Sequence, residues 1–128
     1  MNQTRTGGCS CGAVRFRVDG DPVRVGLCHC TTCRKETGSV VMAFAVWPKA
    51  RFKVTGETKG WGHRQFCPTC GSRLFQASDE SDEVEIKLGT LDDAPTGLTP
   101  VRELWTKRRE PWMHPVSDAA QFAENRNP

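Results

Sequence analysis

The sequence lacks an apolar run long enough to cross a bilayer, which takes roughly 20 residues. Its longest, SVVMAFAVW from Ser39 to Trp47, is strand-sized. The first residues, MNQTRTGG, are polar and contain no apolar core of a secretory signal. A strong charge of either sign is missing too. Eighteen Lys and Arg against fifteen Asp and Glu leave +3, too little to argue for a nucleic-acid or membrane partner. No internal repeat or low-complexity segment breaks the 128 residues. One domain over 1–128 is therefore expected, long enough to bury roughly two thirds of its unfolded surface. The expected address is cytoplasmic. In a reducing compartment, clustered cysteines read as metal ligands or reactive thiols rather than disulfides. The odd count of seven agrees, because seven cysteines cannot all pair within one chain.

Helix is also scarce. AVRFRV alternates, with Val14, Phe16 and Val18 on one face and Arg15 and Arg17 on the other. VVMAFAVW is apolar in both phases and reads as a strand covered on both sides. RFKV, WGHRQF, SRLFQ and VEIKL extend the strand pattern, separated by turns at TGETKG and DESDE. TTCRKETG predicts a short helix capped by threonine and ended by Gly38. Ser117 predicts the cap of a second short helix through DAAQFAEN, and TLDDAPTGLTP reads as loop. The expectation is a mainly-β domain with short helical pieces and a C-terminal arm.

The cysteines fall into three groups: CSC at 9 and 11, CHCTTC at 28, 30 and 33, and CPTC at 67 and 70. CPTCG has the form of a zinc knuckle, a tight turn that aims two sulfurs at one metal. The same C-x-x-C spacing also occurs in redox pairs, but those open a helix, and strand signals flank this one. A knuckle needs two more ligands. CSCG also ends in glycine and precedes a strand, so two such turns can meet and close a four-sulfur site from Cys9, Cys11, Cys67 and Cys70. An alternative partition joins CPTC to two cysteines of CHCTTC and leaves Cys9 and Cys11 spare.

On the first partition Cys28, Cys30 and Cys33 remain. Residues 28 and 30 share a face of an extended segment, and Cys33 lies in the first turn of the expected helix, where unpaired N–H groups favour thiolates. Three protein ligands with one open position is the pattern of a catalytic zinc, whereas structural sites are closed. Other readings stay open: His29 as a fourth ligand, although it should point away from its two neighbours; His63 or His114 reaching in; or three reduced thiols without metal. An all-thiolate zinc is a weak Lewis acid, suited to a soft fourth ligand such as a substrate thiol held as a nucleophile. That points to carbon–sulfur bond chemistry rather than hydrolysis, which would want a general base near the metal. Only Glu36 stands close by in sequence. Arg34 and Lys35 could offset the cluster's charge or hold a substrate carboxylate, or serve as ordinary solvated charges.

The ordered segments GGCSCGAVRF, CHCTTCRKETGS, FCPTCGSRLF, GTLDD and ELWTKRREPW resemble the glutathione-dependent formaldehyde-activating enzyme family, which also includes centromere protein V. The resemblance runs from about residue 7 to residue 122. It implies the zinc-stapled β-tent fold of small antiparallel sheets. It further implies two zinc ions per chain: a structural one on Cys9, Cys11, Cys67 and Cys70, and a catalytic one on Cys28, Cys30 and Cys33. The activity it implies joins formaldehyde to glutathione as S-hydroxymethylglutathione, in the carbon–sulfur lyase class. Glu103 and Arg109 depart from the family pattern, in which histidine and lysine are common at those places. Trp105 and Trp112 match it and are expected in buried packing. The competing class is a non-catalytic zinc module binding protein or nucleic acid. Its support is the basic segments RTGG, CRK and TKRR, diluted by DESDE and LDD, with no aromatic-and-basic stripe of the kind single-strand binders use.

Overall fold

The computed structural model describes residues 3–126. Among them the chain forms eleven strands and one α-helix. The strands are β1 (Thr4–Gly8), β2 (Arg15–Asp19), β3 (Arg24–Cys28), β4 (Met42–Pro48), β5 (Phe52–Thr55), β6 (Lys59–Trp61), β7 (Arg64–Phe66), β8 (Arg73–Ala77), β9 (Glu83–Lys87), β10 (Arg102–Leu104) and β11 (Ala120–Gln121). The helix is α1 (Thr31–Thr37). The expected mainly-β class is what the chain adopts. It divides into two compact units, Met1–Val23 with Ala45–Gly97 and Arg24–Phe44 with Leu98–Pro128.

In the first unit β1, β2 and β5 form an antiparallel sheet with β2 in the middle. The alternation read in the sequence holds: Val14, Phe16 and Val18 are buried while Arg15 and Arg17 are exposed. Phe52 links this sheet's apolar face to β8, its ring centroid 5.9 Å from Phe16 and 5.0 Å from Phe75. The strands β6 to β9 run as an antiparallel meander. WGHRQF therefore holds a hairpin turn at Gly62–His63 rather than one strand. Trp47 is fully buried and its indole N–H donates to the Gly20 carbonyl at 3.0 Å, which satisfies the ring's polar handle.

In the second unit β3, β10 and β11 lie side by side, all parallel. The register places Glu103 opposite Leu27 on one side and Gln121 on the other. Gly26 permits a close approach inside β3, because a Cβ there would lie 2.6 Å from the buried Phe44 ring. Gly26→Val is accordingly expected to cost about 1–3 kcal/mol by overpacking, read as a lower urea midpoint. The helix α1 is where TTCRKETG predicts it, and Gly38 ends it in the left-handed conformation with φ 71°. Its cap is Cys30 rather than a threonine: the Cys30 sulfur accepts the Cys33 N–H at 3.3 Å. No helix starts at Ser117. Residues 120–121 instead pair with β10, where the ladder offers backbone partners that a short isolated helix would lack.

Candidate metal centres and the cleft at Cys30

The four-cysteine group is built by two turns of the same design in the first unit. In the first turn, Gly12 donates to the Cys9 carbonyl (3.2 Å), Cys9 N–H to Val14 (3.1 Å), and Val14 N–H to the Cys9 sulfur (3.2 Å). In the second, Gly71 donates to the Cys67 carbonyl (2.8 Å) and Cys67 N–H to Ser72 (3.0 Å). Gly71 has φ 79°, where a side chain would be strained. Ser72 links the turns, since its hydroxyl accepts the Ser10 N–H at 3.0 Å and lies 3.2 Å from the Cys70 sulfur. That hydrogen bond, with the Ser72 backbone, pulls the Cys70 thiol down to about 5.

Four sulfurs held tetrahedrally at a zinc–sulfur distance of roughly 2.3 Å lie roughly 3.8 Å apart. The Cys9 and Cys11 sulfurs are 3.6 Å apart and those of Cys11 and Cys67 3.8 Å. All four atoms fall within 4.8 Å of one another. The spacing fits a tetrahedral dication.

The three-cysteine group lies in the second unit. Cys28 ends β3, Cys30 caps α1 and Cys33 lies in its first turn. Their sulfurs also lie within 4.8 Å of one another. Hydrogen bonding from Cys33 is the largest influence on the Cys28 thiol and holds it near 6 against the opposing effect of burial. The same contact, with burial, raises the Cys33 thiol. Sulfurs this close share protons because full ionisation would crowd negative charge, and a bound dication removes that conflict. Cys28 and Cys33 are buried, but Cys30 is partly open. It lines a cleft of about 230 Å³ with Thr31, Thr32, Trp105 and Arg108. A second cleft of about 280 Å³ shares Thr31 and Arg108 and adds Arg34, Lys35 and Glu110. Arg34 is engaged there, donating to Glu110 (2.7 Å) and to the Arg108 carbonyl (3.1 Å), while Lys35 is exposed.

The histidine between the cysteines does turn away from them. His29 is 0% exposed and its Nε2 meets Glu103 Oε1 at 2.8 Å. Glu103, 1% exposed, also accepts from Arg109 (3.3 Å), Val116 N–H (2.6 Å) and the Gln121 amide (3.0 Å). Burial alone would raise its carboxyl, but these donors outweigh it and hold it at about 2. His63 and His114 are exposed and belong to neither sulfur group. Sequence reasoning missed this network. Nothing in the local sequence links Glu103 to His29, 74 residues away. The expected burial of the tryptophans is corrected: Trp112 is 67% exposed, and half-buried Trp105 walls the Cys30 cleft.

These features define a mainly-β protein with two cysteine groups able to hold metal ions, one with four sulfurs and one with three sulfurs beside a cleft. Residues 4–108 match the family model of the glutathione-dependent formaldehyde-activating enzyme, and the chain belongs to that family. An uncharacterized lyase of Schizosaccharomyces pombe is 29% identical over 76 residues, which cover 56% of this chain and 56% of that protein's length. A Halomonas elongata protein named for glutathione-dependent formaldehyde activation is 28% identical over 123 residues, covering 84% of this chain and 78% of that one. A Rhodobacter sphaeroides crystal structure shares the fold at a TM-score of 0.55 and 21% identity, covering 74% of this chain and 97% of that one. No helix among the described residues is long and apolar enough to cross a membrane.

Proposed function

We propose that this protein is a zinc-dependent carbon–sulfur lyase that forms and cleaves a thiol–aldehyde adduct, with glutathione and formaldehyde as substrates and residues 1–128 as one domain. In this reading Cys9, Cys11, Cys67 and Cys70 hold a structural zinc, and Cys28, Cys30 and Cys33 hold a catalytic one. The observation that carries it is that Cys30 belongs to a three-sulfur group and also lines a cleft. Cys28, Cys30 and Cys33 would hold the zinc, which would supply Lewis acidity of a kind that favours the thiolate form of a substrate thiol. Arg34, Lys35 and Arg108 line the adjoining cleft with Glu110, and the cations would hold a carboxylate of the substrate. In the forward reaction the thiolate sulfur bonds to the aldehyde carbon, and the carbonyl electron pair moves to oxygen and takes up a proton. Seven cysteines kept out of disulfides suit a cytoplasmic address.

Elemental analysis tests the assignment. Wild type is expected to carry about two zinc ions per chain and Cys30→Ser about one. A wild-type value of one removes the catalytic zinc from the reading. Glutathione is expected to raise the melting temperature of the wild type, and the protein is expected to speed formation of the hydroxymethyl thioether from glutathione and formaldehyde above the uncatalysed rate. Failure of both removes glutathione as the substrate.

A further inference from the structure

The wall of the Cys30 cleft is itself held in place by residues beyond the family match. Trp105 sits at φ 57°, ψ 42°, a left-handed conformation that bulky side chains rarely adopt and that persists only where the surroundings impose it. The surroundings here are the last part of the chain. Thr106 N–H donates to the Phe122 carbonyl and Trp105 N–H to the Glu124 carbonyl, both at 3.0 Å. The Trp105 indole N–H donates to the Asn125 side chain at 2.8 Å. Lys107 pairs with Glu124. The Lys107 ammonium lies 5.1 Å and the Arg108 guanidinium 5.0 Å from the centroid of the Trp105 ring, within cation–π range. Backbone, ring nitrogen and flanking cation are thus all tied to residues 122–125. The family match ends at residue 108.

We propose that residues 122–125 form a specificity strap, which fixes Trp105 as a rigid wall of the Cys30 cleft and so restricts that cleft to slender thiols. The inference rests on the reading that thiols enter at Cys30, but its consequence for access to the sulfur can be measured without turnover. A loop residue in a strained conformation relaxes once its partners are removed, and the indole then no longer fills one side of the cleft. Larger thiols enter, and discrimination by size falls.

The test compares the full chain, a chain ending at Phe122 and Asn125→Ala. The shortened chain keeps β11 and the Gln121–Glu103 hydrogen bond, so the buried network stays intact. Each protein is treated with iodoacetamide and with a fluorescein-bearing iodoacetamide, which share one reactive group and differ in bulk. Labelling of Cys30 is followed by peptide mass spectrometry. The ratio of bulky to small labelling rates is expected to rise severalfold in the shortened chain and in the same direction, by less, in Asn125→Ala. An unchanged ratio in the shortened chain overturns the strap. So does a parallel rise in both rates, which would mean that the segment stabilises the sulfur group rather than a wall. A wild type with one zinc, or with no action on glutathione, refutes the proposed function and leaves the labelling ratio to be judged by itself.

Discussion

Cys67→Ser is expected to leave the chain without a cooperative unfolding transition, and prolonged chelation of the wild type is expected to do the same. Cys67 is fully buried and anchors its turn through both backbone groups. On the proposed assignment it also supplies one of four ligands to the ion that joins the turn before β2 to the turn before β8. Binding a structural zinc contributes of order 10 kcal/mol to folding, while a whole domain is stable by about 5–15 kcal/mol. Losing the staple therefore consumes most or all of the margin. Cys30→Ser provides the contrast. Serine is a good helix cap, and its hydroxyl can accept the Cys33 N–H in place of the sulfur, so α1 keeps its start. The Cys30 variant is expected to lose one metal ion yet melt cooperatively. Circular dichroism melting with metal analysis on both variants checks the pair. A Cys67→Ser protein that melts within a few degrees of wild type would sink the staple assignment.

The parts of the molecule legible in the sequence are those governed by local chemistry. The period-two pattern of Val14, Phe16 and Val18 needs only the pleat of a strand. The division of seven cysteines into four and three follows from turn geometry around glycine, and the sulfurs are grouped in that way. The strands β1, β3 and β10 were not legible. TRTGG and RVGLC contain glycines that lower strand propensity, and their pairing is decided by distant partners such as Glu103 opposite Leu27. The C-terminal arm was misread for the same reason. Ser117 followed by DAAQFAEN is a reasonable helix start by propensity, but the open edge of β10 supplies backbone partners that no local pattern announces. The role of Glu103 was invisible because its four donors come from His29, Arg109, Val116 and Gln121, most of them far off along the chain.

That carboxylate gives the second large effect. Glu103→Ala is expected to cost about 3–5 kcal/mol, because it strands the buried His29 Nε2 and removes the shared acceptor of Arg109, Val116 and Gln121. Glu103→Gln is expected to be milder, since an amide oxygen still accepts two of the bonds. The pH dependence distinguishes the charge from the shape. The folded carboxyl sits at about 2, below its ordinary value of 4.5. A depressed acid stabilises the fold in its ionised form. Its contribution is complete above about pH 4.5 and disappears as the pH falls through about 2, amounting to roughly 3 kcal/mol. The difference in urea midpoint between wild type and Glu103→Gln should thus close progressively below about pH 4.5. Metal analysis beside each midpoint confines the comparison to pH values at which both proteins still hold their metal. A gap that stays undiminished as the pH falls below about 4.5 would mean that packing around Glu103, and not its charge, holds the segment between Cys28 and Cys30 in place.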